Sequence, residues 1–147
     1  MVHPKPPVTA IMPVRNDAKH LAAAVSSVLA QTYSGALDLV LAVGPSDDDT
    51  AGAAQELAAA SPDRVTVVPN PSGGTAAGLN AALDHAHGEV IVRVDAHCAL
   101  PPDYVAAAVG ALAETGAANV GGVQAATGTS DYQRAVAAAM TSRFGVG

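Results

Sequence analysis

Residues 89–104 read Glu-Val-Ile-Val-Arg-Val-Asp-Ala-His-Cys-Ala-Leu-Pro-Pro-Asp-Tyr. The β-branched residues Val90, Ile91, Val92 and Val94 stop abruptly at Asp95, with His97 two positions on and Pro101-Pro102 after it. This pattern predicts a buried strand that ends at a turn and presents a carboxylate and an imidazole at its C-terminal edge. In open α/β sheets, ligands bind just outside the carboxyl ends of the strands. A carboxylate and an imidazole spaced by one residue there can share one divalent cation, and that cation can neutralise a diphosphate. Equally, Asp95 can cap the turn and leave His97 an ordinary surface residue.

Outward from this strand, the chain alternates strand-like and helix-like segments. Strands are expected at Val8–Val14, Leu37–Val43, Arg64–Val68 and Val90–Val94, with a fifth at Ala118–Gln124. Helices are expected over roughly 17–31, from Asp47–Asp49 to Ala60, over Thr75–His87 with Gly88 as the C′ residue, from Pro101-Pro102 to Glu114, and over Asp131–Ser142. Asn16 or Asp17 would cap the first of these helices. Strand then helix, repeated, predicts an α/β fold with three α/β/α layers and a mostly parallel sheet joined by right-handed crossovers. No repeat or linker divides the 147 residues, so one domain, 1–147, is the expectation.

Composition narrows the function. Half of the residues are hydrophobic but only 3% are aromatic, so the core is packed from Ala, Val and Leu. A net charge of −6 and the lack of a basic stripe weigh against a nucleic-acid partner. The single cysteine, Cys98, excludes an intrachain disulfide and fits a reducing cytosol. No apolar run approaches the ~20 residues of a transmembrane helix, and the Pro-rich start does not read as a signal peptide.

Other polar groups have structural and functional readings side by side. Asp47-Asp48-Asp49 suits a helix N-terminus through the macrodipole and the free N–H groups, while Asp48 could also face a nucleotide. Pro71-Ser72-Gly73-Gly74-Thr75 is a loop opening a helix whose free N–H groups can hold phosphate, although it is not a P-loop. Arg15 can pair with phosphate or an acid. Arg93 shares a strand face with Asp95, where burial would require a partner and the pair would hold Asp95 in place. His85 and His87 read as a solvated helix end. A nucleophilic role for Cys98 beside His97 is disfavoured, because adjacent residues on a strand or turn point apart.

Taken together, the segments resemble the family 2 glycosyltransferases of GT-A fold. Val-Thr-Ala-Ile-Met-Pro-Val-Arg-Asn-Asp (8–17) is similar to that family's first strand and nucleotide-binding turn. Ser27-Val28-Leu29-Ala30-Gln31-Thr32-Tyr33 is similar to its Ser-x-x-x-Gln-Thr-Tyr helix end, and Asn80 through Gly88 to the helix before its metal-binding strand. Asp95-Ala96-His97 stands where the family carries Asp-x-Asp, with Pro102-Asp103-Tyr104 following. The succinoglycan-biosynthesis type of polysaccharide glycosyltransferase is similar in Arg-Val-Asp-Ala-His, in Gly121-Gly122-Val123 and in residues 139–147.

The resemblance implies a nucleotide-diphosphate sugar donor and a saccharide or lipid-linked acceptor. It implies a divalent metal, Mn²⁺ or Mg²⁺, held by Asp95 and His97, and an inverting transfer. The nucleoside cleft would be formed by Pro13, Val14 and Arg15, with Asp48 beside it and Asp95 toward the diphosphate. No acid is placed by the resemblance as the catalytic base. A cytoplasmic enzyme is expected, reaching the inner face of the membrane only through segments outside this chain.

Three departures qualify it. Val43-Gly44-Pro45 replaces the leading acids of the family's Asp-Asp-Gly-Ser-x-Asp loop, though Ser46 and Asp48 remain. Leu79 stands where Arg is frequent. The family's base and acceptor segment lie downstream, so the chain is expected to be a truncated, donor-binding portion that transfers no sugar alone. Val136, Met140 and Phe144 would then be left uncovered and favour self-association as a homo-oligomer. Two rival readings are a non-catalytic nucleotide-binding module and a different α/β enzyme such as a nucleotidyltransferase. The latter would want a basic Gly-rich loop after the first strand, which Arg15-Asn16-Asp17 does not supply.

Overall fold

The computed structural model describes residues 5–122, 125–128 and 130–142. The elements run β1 (Val8–Val14), α1 (Ala18–Leu29), β2 (Leu37–Val43), α2 (Thr50–Ala60), β3 (Val65–Pro69), α3 (Thr75–Leu83), β4 (Val90–Arg93), α4 (Tyr104–Thr115) and α5 (Asp131–Met140). By contact the chain divides into two compact units, Met1–Gly110 and Ala111–Gly147.

The first unit carries a four-stranded parallel sheet in the order β3-β2-β1-β4. Register runs from Val8↔Leu37 to Val14↔Val43 on one side of β1, and from Val8↔Val90 to Ile11↔Arg93 on the other. The chain steps outward from β1 to β3, then returns to the far side of β1 as β4. With crossovers of constant hand, that reversal sends α3 to the face opposite α1 and α2.

Packing agrees. Leu21, Ala24, Val25 and Val28 of α1 are buried at one-face helical spacing. They join Met12, Leu39, Leu41, Ala54 of α2 and Val105 and Val109 of α4 in the larger core cluster. Ala82 of α3 meets Ile11, Val40, Ala42 and Val68 on the other face, with Leu79 packed against them. Leu79 is thus a core contact where the resembling family often has Arg. Met12, Leu21, Leu39 and Leu41 are fully buried, each contributing about 1.5–3 kcal/mol of hydrophobic stabilisation.

The three-layer parallel α/β architecture matches the expectation, with differences at element ends. α3 stops at Leu83, not His87. Gly88 is no C′ residue: a Cβ there would lie 2.4 Å from Thr9 N and 2.7 Å from the Val8 carbonyl carbon. That close approach lets Gly88 N donate to Thr9 Oγ1 at 2.9 Å, so the chain enters β4 against the backbone of β1. Pro101 and Pro102 precede α4 rather than forming its first turn. The expected fifth strand is not formed over residues 118–122, while Val123 and Gln124 lie outside the described residues.

In the second unit, α5 opens with a capping box. Ser130 Oγ accepts from Gln133 N at 3.2 Å, and Gln133 Oε1 accepts from Ser130 N at 3.2 Å. α5 buries no residue, and Tyr132, Val136 and Met140 are exposed along it. Phe144, expected to extend that apolar surface, lies outside the described residues. Among the described residues, no helix is long and apolar enough to cross a membrane.

Candidate active site

β1 is where strand order reverses, and the carboxyl ends of β1 and β4 flank the crevice at that switch point. The turn after β1 carries Arg15, Asn16 and Asp17. Asn16 has φ +51°, in the left-handed region that Asn tolerates by bonding locally. Its N–H donates to Ser46 Oγ at 3.0 Å, and its Oδ1 accepts from Asp47 N at 2.7 Å. The loops after β1 and β2 are therefore laced together, and Arg15 Nε adds a bond to the Pro45 carbonyl at 3.0 Å.

Asp48 is committed within this lacing. Its Oδ2 accepts from Ala18 N at 3.0 Å, and its Oδ1 accepts from Thr50 N at 3.1 Å and Thr50 Oγ1 at 2.5 Å. The Thr50 hydroxyl first, then the Ala18 amide, hold its carboxyl below the usual carboxylate range. Asp48 thus supplies side-chain caps to the starts of both α1 and α2. The positional N-cap of α1, Asp17, makes no side-chain cap bond. Asp48 is not among the residues lining the cleft described next.

The cleft has a volume of about 280 Å³. Pro13, Val14, Arg15 and Asp17 line it from β1 and its turn, Asn70, Gly73 and Thr75 from the β3–α3 loop, and Arg93, Asp95, Ala96 and His97 from the end of β4. Of the six residues expected to form the site, Pro13, Val14, Arg15, Asp95 and His97 therefore meet in one place, and Asp48 does not join them. A second hollow of about 250 Å³, lined by Val43, Ala51, Gln55, Val67, Val68 and Pro69, carries no ionisable group.

Period-two alternation continues past β4. Val92, Val94 and Ala96 are buried, while Arg93, Asp95 and His97 face the cleft side. Arg93 Nε donates to Asp95 Oδ1 at 3.1 Å, as expected, but Arg93 is exposed rather than buried. β4 lies at the sheet edge, and α3 covers β1, β2 and β3 instead. His97 Nδ1 lies 3.6 Å from Asp17 Oδ2. The Asp95–Cys98 turn closes with Cys98 N donating to Asp95 O at 2.9 Å. It gathers an Asp95 oxygen, a His97 nitrogen and Cys98 Sγ to within 4.8 Å of one another. His97 lines the cleft and Cys98 packs against the larger core instead, yet the turn keeps their donor atoms close to each other and to Asp95. An oxygen, nitrogen and sulfur set of this kind fits a divalent transition metal. Partial burial first, then the Asp95 charge, pushes the Cys98 thiol up, which does not favour a free nucleophilic thiolate.

The segment beyond the turn is clasped from α1. Ser27 Oγ accepts from Leu100 N at 3.1 Å, and Gln31 Nε2 donates to the Pro101 carbonyl at 2.7 Å. Gln31 Oε1 accepts from Val105 N at 2.9 Å, capping α4, and Thr32 N donates to the Pro102 carbonyl at 2.8 Å. The Ser-x-x-x-Gln-Thr signature thus anchors the chain that carries Asp95 and His97. Asp17, Asn70, Gly73 and Thr75 also line the cleft. Asp17 is one of the two caps that the sequence offers, and residues 71–75 are the loop whose free N–H groups could hold phosphate, whereas nothing in the sequence singles out Asn70, whose buried amide donates to the Gly74 carbonyl at 3.1 Å.

The cleft lies at the switch point of an open parallel α/β sheet, the place where such sheets bind ligands. The profile of the family described as Glycosyl transferase family 2 matches residues 9–144, and the chain belongs to that family. It is 32% identical over 139 residues to the succinoglycan biosynthesis protein ExoA of Rhizobium meliloti (strain 1021), a match covering 93% of this chain and 42% of that protein. The chain therefore spans less than half of that relative's length. The mannosyltransferase PcManGT from Pyrobaculum calidifontis, solved in complex with GDP-Man and Mn²⁺, is 34% identical with a TM-score of 0.70, covering 78% of this chain and 34% of that one. TarS of S. aureus, at 21% identity and a TM-score of 0.64 over 82% of this chain and 23% of its own, shares the fold. The fold is GT-A.

Proposed function

We propose that this chain binds a nucleoside-diphosphate sugar and serves as the donor-binding portion of an inverting, metal-dependent glycosyltransferase of polysaccharide biosynthesis, with a saccharide or lipid-linked acceptor. The observation that carries the proposal is the convergence, at the switch point, of two cations, Arg15 and Arg93, with the potential ligands Asp95 and His97. Pro13, Val14 and Arg15 form the nucleoside side, and Arg15 and Arg93 face the diphosphate as charge-assisted donors. Asp95 and His97 hold Mn²⁺ or Mg²⁺. When bound there, the cation supplies charge neutralisation of the diphosphate and of the departing nucleotide. Asp48 acts at one remove, by fixing the loops against which Arg15 is braced. The Mn²⁺ and GDP-Man of the Pyrobaculum mannosyltransferase structure support a metal and a nucleotide sugar of this general kind.

Calorimetric titration with UDP-, GDP- and dTDP-sugars, with Mn²⁺, Mg²⁺ or EDTA, tests this. Binding is expected only with a divalent cation, with Mn²⁺ at least as effective as Mg²⁺ because His97 is a softer ligand than a carboxylate. Asp95→Asn should remove the cation effect while circular dichroism shows the fold unchanged. Equal affinity in EDTA would sink the proposal.

A further inference from the structure

Cys98 is the chain's one cysteine, and it immediately follows the proposed ligand pair. We infer that Cys98 is a third donor of this centre, turning it into an oxygen–nitrogen–sulfur site that captures a thiophilic divalent cation, such as Zn²⁺ or Cd²⁺, in preference to Mg²⁺ and in competition with Mn²⁺. The inference rests on the reading of Asp95 and His97 as cation-binding residues. Three observations carry it. The Asp95 oxygen, His97 nitrogen and Cys98 sulfur all lie within 4.8 Å of one another. The turn that unites them is fixed by the Cys98 N to Asp95 O bond at 2.9 Å, and the segment beyond it by Ser27 and Gln31. His97 is two-thirds exposed, which leaves room for its ring to turn about its Nδ1 contact with Asp17.

Metal–ligand bonds of about 2.0–2.3 Å imply donor–donor separations of roughly 3.3–3.7 Å in a tetrahedral site. Separations of up to 4.8 Å need a closure of at most about 1–1.5 Å, within reach of a rotation of the His97 and Asp95 side chains. The sulfur stays put, because Cys98 is partly buried against the larger core. On coordination the thiol proton passes to solvent and the thiolate becomes the ligand. Thiolate favours Zn²⁺ and its like, whereas Mg²⁺ takes oxygen ligands. Three protein donors leave a fourth position for water or a phosphate oxygen.

The test is titration of the 147-residue chain with Co²⁺, followed by thiolate-to-cobalt charge-transfer absorption, and with Zn²⁺ and Mn²⁺ by calorimetry and manganese EPR. With one cysteine per chain, a charge-transfer band at one Co²⁺ per chain can arise only from Cys98. The band is expected in the wild type, bleached by Zn²⁺ and absent from Cys98→Ser. Zn²⁺ affinity should fall at least about tenfold in that variant, while circular dichroism shows the fold unchanged. Cys98→Ala serves if serine disturbs the core. Mn²⁺-dependent nucleotide binding without a Co²⁺ band, or equal Zn²⁺ affinity in wild type and variants, overturns this inference and leaves the cation site standing. Failure of Mn²⁺, Co²⁺ and Zn²⁺ alike to bind overturns both.

Discussion

Asp17 Oδ2 lies 3.6 Å from His97 Nδ1, joining the N-cap of α1 to the turn after β4 across 80 residues of sequence (97 − 17). The other Asp17 oxygen accepts from His20 Nδ1. At 3.6 Å the contact is just longer than a hydrogen bond, and a small turn of the ring would bring Nδ1–H onto the carboxylate and leave Nε2 to a cation, the usual arrangement of an outer partner on a metal-bound histidine. Asp17→Asn should therefore weaken Mn²⁺ binding by about 10- to 100-fold. It should leave thermal stability almost unchanged, since the Asp17 side chain makes no cap bond to α1. Manganese EPR and a melting curve together check this. A large loss of stability would instead give Asp17 a merely structural role.

Arg93 offers a prediction with two signs. Its Nε holds Asp95 Oδ1 at 3.1 Å in a pair more than half exposed on the Arg side, so the pair itself contributes about 0–1 kcal/mol to stability. Its charge repels a cation at Asp95 but attracts a diphosphate. Arg93→Gln should strengthen binding of Mn²⁺ alone by up to about fivefold, from roughly 1 kcal/mol of solvent-screened repulsion. The same change should weaken nucleoside diphosphate in the presence of Mn²⁺ by about tenfold or more, as a charge-assisted contact is lost. Calorimetry with and without nucleotide separates the two effects. A common direction for both would contradict the placement of Arg93 between cation and phosphate.

What was legible in the sequence follows from how local each signal is. β1 and β2 were readable to the residue, because Val8–Val14 and Leu37–Val43 are apolar runs bounded by turn residues. The placement of Asp95 and His97 just past the carboxyl end of β4 was readable because the apolar run ends so sharply. Asp17 was not, since its meaning depends on α1 beginning beside a turn that lies far along the chain. Asp48 was readable as a cap, but only the fold shows that one of the helices it caps is α1. Gly88 misled for a related reason. A glycine after a helical stretch reads as a helix stop, whereas its cause here is the backbone of β1.

That cause is directly testable. A Cβ at Gly88 would lie 2.4 Å from Thr9 N and 2.7 Å from the Val8 carbonyl carbon, both backbone atoms of a buried strand that cannot give way. Gly88→Ala should therefore cost about 1–3 kcal/mol through overpacking. It should also weaken the bond from Gly88 N to Thr9 Oγ1. Gly110→Ala is the control, because nothing lies within 4 Å of a Cβ built there, and replacing a helical glycine by alanine gains up to about 1 kcal/mol. Urea unfolding should move in opposite directions for the two variants. Equal stability of Gly88→Ala and the wild type would show that β4 is not held as closely to β1 as described.

The loop after β2 bears on how the proposed site would tell one nucleobase from another. Val43-Gly44-Pro45 replaces acids that the resembling family uses toward the base or ribose. A lost charge-assisted contact is worth roughly 1.5–3 kcal/mol, or about 10- to 150-fold in affinity. The neighbouring polar groups do not replace it. The Asn70 amide is buried and committed to the Gly74 carbonyl at 3.1 Å, and Arg15 Nε to the Pro45 carbonyl at 3.0 Å. Affinity should therefore be weak, and UDP, GDP and dTDP should differ by less than about tenfold, within the loss of one such contact. Nor should Gly44→Asp restore discrimination, because its Cβ would come 3.0 Å from Gly73 Cα, and Gly73 itself is held at φ +67°. Added bulk there pushes on backbone in a conformation that only glycine adopts freely, so the variant should open the loop and weaken all three nucleotides together. Calorimetry of the three nucleoside diphosphates with Mn²⁺ checks both statements. Submicromolar binding of one, with a hundredfold preference over the others, would mean that a group outside this loop reads the base.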